Sequence, residues 1–422
     1  MPAPATSRWP RGRAFRAVWA GESGSVLGDY AYQIAFAWLV LSISHSAATL
    51  AEVMICNAAC SGALIIVGGA GTDRWSPRRV MICSHLVKGV LVAVLCVLTS
   101  AHAVHIWACL AIAAAFGVAD SFFWPASGSI LPSLVSAEEL PRANAIVAVG
   151  EQTALFLGPV IGGLLVSAFS PAPAFALNAV TFFAAAWAVT LAPRTAPRPS
   201  QAERWSIRAL AASVTEGLSY ARGKPDVRTI LVLIGAATLA YSGLFAVALP
   251  VFAHALGRGA LPLGLLVACW GAGQLAGSVS ATVTGLPSRW GLLVAGMAVC
   301  EGLSFLVIGL TSSLTVACVL FVVLGFGVAY ASDVAIPTWI QASTSAEMLG
   351  RVNSIINLPR VVLPPVSMAV MGGLAVISVR LPFFFAAAPM LLAGAALTVT
   401  GATRQLATNA EADNPPATEG RA

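Results

Sequence analysis

The stretch Gly69–Ser100 reads GAGTDRWSPRRVMICSHLVKGVLVAVLCVLTS: a short loop carrying Asp73, Arg74, Arg78 and Arg79 opens directly into an apolar run. Residues 79–100 rise about 1.5 Å each in a helix, enough to cross the ~30 Å hydrocarbon core of a bilayer. The pattern recurs along the whole chain. Only 9% of its residues are charged and 58% are hydrophobic, whereas soluble domains carry about 25% charged residues. A segment inside lipid must pair its own backbone amides, so it crosses as a helix or as part of a closed barrel. The runs lack the alternating ten-residue pattern of barrel strands. The chain is therefore an all-α membrane protein, with spans near 14–42, 48–72, 79–100, 104–132, 142–168, 172–192, 226–252, 262–284, 289–310, 314–341, 351–377 and 381–402.

Basic residues fall on alternate loops. Of 23 Lys and Arg, only Arg258 and Arg380 lie on one side, and Lys88 and Arg360 lie within spans. The other 19 share the opposite side, from the arm with Arg8, Arg11, Arg13 and Arg16 to Arg404 and Arg421. Positive residues are retained in the cytoplasm, so both termini are expected there, as an even number of spans also requires. The net charge of +6 then reports topology, and no basic face with interleaved aromatics suggests nucleic acid. The arm is basic and Pro-rich and the first span is long, which does not resemble a cleavable signal. All eight Cys sit in apolar runs; Cys56 and Cys60 share a helix face, but no His or further Cys completes a metal site. Neither metal nor cofactor is expected.

The longest internal polar segment, 193–225, divides six spans from six. The expected organisation is a cytoplasmic arm (1–13), a six-helix bundle (14–192), a cytoplasmic linker (193–225), a second bundle (226–402) and a disordered tail (403–422). Within the linker, Trp205 and the following apolar spacing suit a helix lying on the inner leaflet. An internal repeat supports the division. Ser136-Ala-Glu-Glu-Leu-Pro-Arg-Ala-Asn144 returns as Ser345-Ala-Glu-Met-Leu-Gly-Arg-Val-Asn353, each joining the fourth span of its half to the fifth. Gly162-Gly163-Leu164 answers Gly372-Gly373-Leu374. The halves read as parallel six-helix repeats, an arrangement that places a binding site near the midplane between them.

Gly69-Ala-Gly-Thr-Asp73-Arg74-Trp-Ser-Pro-Arg78-Arg79 resembles the loop 2–3 motif of the major facilitator superfamily. Gly28-Asp29 in span 1, Phe123-Trp124-Pro125-Ala126 in span 4 and Gly350-Arg351-Val352 at span 11 are similar to the branch of macrolide, multidrug and enterobactin exporters. The resemblance covers residues 14–402. It implies a cytoplasmic gate built on Gly69, Asp73, Arg74, Arg78 and Arg79, against a bland reading in which the loop only sets topology. His85 stands where that branch carries an acid, and the counterpart loop Gly277–Gly285 has lost its acid and its Arg pair. Gly158-Pro159-Val160-Ile161-Gly162-Gly163 resembles the antiporter motif of drug/proton exchangers, although plain helix packing through small residues explains it equally.

Ionisable residues inside spans are functional candidates because a charge at the bilayer centre costs about 2.5–3.5 kcal/mol on insertion scales. Glu22, Ser25, Asp29 and Gln33 form a polar stripe on span 1; Asp120, with Trp124 one turn on, sits in span 4, and Asp333 in span 10. In the resembled family spans 1, 4, 7 and 10 line the cavity, which makes Asp29, Gln33, Asp120, Trp124 and Asp333 cavity or proton-coupling candidates. Glu151 and Glu301 join them as mid-membrane acids, with Lys88 and Arg360 as counter-charges whose pairings the sequence leaves open. A carboxyl in low dielectric favours its neutral form and can exchange a proton near neutral pH. Rings at similar depth, such as Tyr241, Phe245 and Trp270, would suit a bulky amphipathic solute, including a cation.

The resulting expectation is a proton-coupled exporter of drug-like or secondary-metabolite molecules in the cell membrane. It would work by alternating access, as a monomer whose partners are a small-molecule substrate, protons and lipid. The alternatives are a dedicated exporter or flippase of one endogenous compound, such as a siderophore or lysolipid, or a proton-coupled importer. No phosphate-binding loop for ATP is present, and no nucleophile triad or metal cluster supports an enzyme.

Overall fold

A computed structural model describes residues 12–193, 225–256, 259–284, 290–330, 336 and 346–399. Within them lie twelve helices and no strand. These are α1 (Arg13–Ser44), α2 (Ala47–Arg74), α3 (Pro77–Ser100), α4 (Ile106–Ile130), α5 (Leu140–Ala168) and α6 (Pro171–Thr190). The second set begins with α7, which runs from Pro225–Gly243 through a π-helical turn, Leu244–Ala248, into Leu249–Ala255. It continues with α8 (Leu261–Thr284), α9 (Trp290–Leu310), α10 (Leu314–Gly327), α11 (Ala346–Ile377) and α12 (Leu381–Val399). Eleven spans are long and apolar enough to cross a membrane. The tenth is apolar but shorter as described, Leu314–Tyr330. The proposed surface helix after Trp205, the tail beyond Arg404, Asp333, Trp339 and the side chain of Arg351 lie outside the described residues.

Local sequence sets the helix ends. Pro77 and Pro171 open α3 and α6 at the first turn, where a missing N–H costs nothing and the fixed φ suits a helix. His45 takes a left-handed φ of 50° after α1, and its N–H bonds back to the Leu41 carbonyl. Pro125 and Pro159 sit inside α4 and α5 without ending them, since neighbouring helices can satisfy the freed carbonyls. Trp75 and Trp187 near the Arg-rich face, and Trp107 at the opposite face, are all more than half exposed, as expected of rings at the two lipid–water boundaries.

The described residues of Met1–Trp205, Phe245–Gly271 and Met368–Val379 form one compact unit; those of Ser206–Leu244, Ala272–Ser367 and Arg380–Ala422 form another. In the first, α1 packs on α5 and α6, α2 on α4, and α3 on α4 and α6. Its core is aromatic: Tyr32 stacks on Phe36 at 5.2 Å and on Phe116 at 5.1 Å, beside buried Phe175 and Phe182. In the second, α9 packs on α12 and α10, and α12 on α7.

Candidate transport site

Midway along α1, α3, α4 and α6, the first unit buries a set of polar side chains inside that aromatic core. Helical spacing assembles it. His85 and Lys88 are three residues apart on α3, and Phe116, Asp120 and Phe123 share one face of α4. The Lys88 ammonium forms an ion pair with Asp120. It also lies 4.6 Å from the Phe123 ring centre, with Phe182 and Phe116 at 5.6 and 5.8 Å. The lysine is 4% exposed, so ring faces and carboxylate take the place of water around the cation. Asp29 accepts a hydrogen bond from the amide of buried Asn178 at 3.2 Å, and Lys88, Asp120 and His85 are within electrostatic reach of it.

One turn nearer the Arg-rich face, His85 Nε2 is 2.8 Å from a Glu22 carboxylate oxygen. The His85 ring packs edge-on to Phe123 at 5.0 Å, and its Nδ1 is buried without a hydrogen-bond partner. His85 therefore forms an acid–base pair with α1. With His85 neutral, Glu22, Asp29 and Asp120 place three formal negative charges against the one on Lys88. Such an excess in low dielectric is unfavourable.

Among the other candidates, Gln33, Trp124 and Glu151 are exposed on their helices, and Trp124 is 61% exposed although Phe123 beside it is buried. A groove of about 580 Å³ runs between α1 and α5. Leu27, Ile146 and Val149 provide its apolar walls, Ser23 and Thr153 its hydroxyls, and Arg142 its charged end. Trp19 in this wall donates its indole N–H to the Ile146 carbonyl, 3.1 Å away. Arg360 is exposed on α11. Glu301 is buried in the second unit and accepts a 2.8 Å hydrogen bond from the Tyr241 hydroxyl.

The loop motif is described only in part. Arg78 donates to the Thr190 carbonyl at 2.6 Å, closing the end of α6, and Arg79 is exposed; the surroundings of Gly69 and the side chains of Asp73 and Arg74 lie outside what is described. The antiporter-like motif occupies two helix contacts. A methyl group at Gly162 would stand 2.6 Å from the Ala31 carbonyl oxygen, and one at Gly158 would strike Tyr30 and the Leu27 carbonyl, both on α1. Gly163 faces residues 260–264 at the start of α8, where a side chain on Gly264 would collide with the Pro159 carbonyl. The hydroxyl of Ser167, one turn further along α5, accepts the Leu261 N–H at 2.9 Å and so caps α8. Trp38 and His254 pack 4.9 Å apart near the same end.

Sequence reasoning passed over Asn178 and Ser167. Asn178 had a signal, being a lone amide in an otherwise apolar helix; Ser167 had none.

Twelve helices among the described residues, with acids buried in each of the two units, fit a membrane transporter of the major facilitator type, and the comparisons with known proteins bear this out. The family described as Transmembrane secretion effector matches residues 7–355, and the chain belongs to it. The enterobactin exporter of Salmonella choleraesuis (strain SC-B67) is 26% identical over 370 residues, spanning 86% of this chain and 85% of that protein. A transporter of unassigned function from Bacillus subtilis (strain 168) is 24% identical over half of each chain. Among solved structures, a POT family transporter superposes with a TM-score of 0.69 at 16% identity, covering 95% of this chain and 99% of the other. That likeness supports the fold alone.

Proposed function

We propose that the protein is a proton-coupled exporter of amphipathic organic small molecules, working by alternating access of its two halves. It would reside in a bacterial inner membrane as a monomer with both termini in the cytoplasm. The observation that carries the reading is the Lys88–Asp120 ion pair beside Asp29, buried midway along the helices. With a proton on Asp29, Lys88 pairs fully with Asp120. When Asp29 loses the proton, Lys88 stands between two carboxylates and the local charge pattern changes. That change gives the proton a differential interaction with the two conformational states, without which it could not drive transport. The Glu22–His85 pair lies one turn nearer the Arg-rich face and offers a relay for the proton. The α1–α5 groove supplies apolar walls for the body of a substrate, and Arg142 positive charge for its polar end.

The motif glycines of α5 and the similarity to enterobactin exporters support the outward direction. The same similarity favours a second reading, in which one endogenous metabolite of siderophore type is the dedicated cargo. Antibiotic efflux is the broader version of the same activity. Proton flux in proteoliposomes, driven by a gradient of a transported amphipathic dye or of enterobactin, tests the coupling. Asp29→Asn and Asp120→Asn should each reduce it at least tenfold; unchanged flux in both variants would remove the assignment.

A further inference from the structure

Glu301 lies halfway along α9, is 4% exposed, and is met by a single neutral donor, the Tyr241 hydroxyl on Oε2. Among the described residues no Lys, Arg or His forms an ion pair with it. Among the described residues, the cations that α7 carries lie at its two ends, Arg228 exposed in its first turns and His254 in its last. α12 carries no titratable residue, Cys300 is an exposed thiol, and the Tyr330 hydroxyl beyond α10 is engaged with Thr284 at 2.9 Å. An ionised carboxylate in such surroundings, inside a lipid-embedded bundle, would carry an uncompensated charge. A neutral carboxylic acid would not.

The placement mirrors the first unit. Glu301 follows Lys88 by 213 positions and Tyr241 follows Asp29 by 212, close to the spacing of the internal repeat. In the first unit the central residue is a base countered by Asp120. In the second it is an acid, and the counter-charge nearest to hand is a proton. The helices on either side of it also depart from regular α geometry. The Ser367 hydroxyl inserts into α7, donating to the Leu239 carbonyl at 2.7 Å and accepting the Gly243 N–H at 2.8 Å. Those two backbone groups are i and i+4 partners in a helix, so the hydroxyl sits on the rung that spans Tyr241, directly before α7 passes into the π-helical turn Leu244–Ala248. A second π turn, 328–330, begins directly after Gly327, where a methyl group would lie 2.8 Å from Glu301 Oε1. Such turns are rare and occur frequently at functional sites.

We propose that Glu301 and Tyr241 form a proton-binding site of the second unit, separate from the Lys88 cluster, whose proton exchanges with water as α7 and α10 flex at their π turns. Release breaks the carboxyl O–H bond, leaves the electron pair on the carboxylate and hands the proton to water. Tyr241 then donates to the anion, and the reverse step reloads the site. The inference goes beyond the coupling reading above and is tested without a substrate.

Infrared spectroscopy of the full-length protein in lipid nanodiscs at neutral pH reads the site directly. The wild type should show a carboxylic-acid C=O band that disappears in Glu301→Gln and moves to higher frequency in Tyr241→Phe, which removes its hydrogen bond. In D2O the band should shift before the backbone amides of α9 exchange. The same band should persist in Asp29→Asn, whatever that variant does to transport. No difference between wild type and Glu301→Gln in the carboxylic-acid C=O region would mean that the acid is ionised and overturn the proposal. A band that shifts only together with the α9 amides would reduce the proton to a fixed structural one and overturn the exchange. Tyr241→Phe keeps the test open should Glu301→Gln fail to fold.

Discussion

Replacing Lys88 with methionine leaves Asp120 inside the bundle without its counter-charge, and the structure sets bounds on the consequence. Removing one partner of a buried pair typically costs about 3–5 kcal/mol. Asp120 has an escape, because it can take a proton. Protonating an ordinary Asp at pH 7 costs about 1.36 kcal/mol for each of roughly three pKa units, which caps the loss near 4 kcal/mol. Its side chain is 23% exposed, so residual hydration lowers the figure to about 2–4 kcal/mol. Asp120→Asn should be milder, about 1–2 kcal/mol, because Lys88 keeps three ring faces and the nearby Asp29. In Lys88→Met/Asp120→Asn neither charge is orphaned, so the double variant should recover part of the loss, with a coupling energy of about 1–2 kcal/mol. Equilibrium unfolding in mixed detergent micelles, run as a double-mutant cycle, measures each term. Strictly additive losses, or an Asp120→Asn variant weaker than Lys88→Met, would refute the reasoning.

Three further substitutions test helix contacts in the first unit. Gly162→Ala would press on the backbone of α1 at Ala31 and should cost about 1–3 kcal/mol, whereas Gly163→Ala meets α8 at 3.2 Å and should cost less; melting temperatures of the purified variants give the order. Ser167→Ala removes the acceptor for the Leu261 N–H at the start of α8 and should cost about 1 kcal/mol, with faster amide exchange at residue 261 as its signature.

The twelve helices were legible in the chain because lipid imposes a one-dimensional rule: a crossing helix needs about twenty apolar residues whatever it touches. Mid-span acids were equally visible, since each is an exception to that rule. Their partners were not. Lys88 had Asp29, Asp120 and Glu151 as available counter-charges at similar depth, and only the packing of α3 against α4 assigns it to Asp120 while α6 brings Asn178 to Asp29. His85 read as a missing acid in a charge network until α1 placed Glu22 against its ring. The Ser367 hydroxyl's two bonds to the α7 backbone join residues more than a hundred positions apart, and no local pattern around Tyr241 announces them. Transfer energies act residue by residue and leave their trace in composition, whereas ion pairs and inserted hydroxyls depend on which helix faces which, a property fixed only once the bundle has closed.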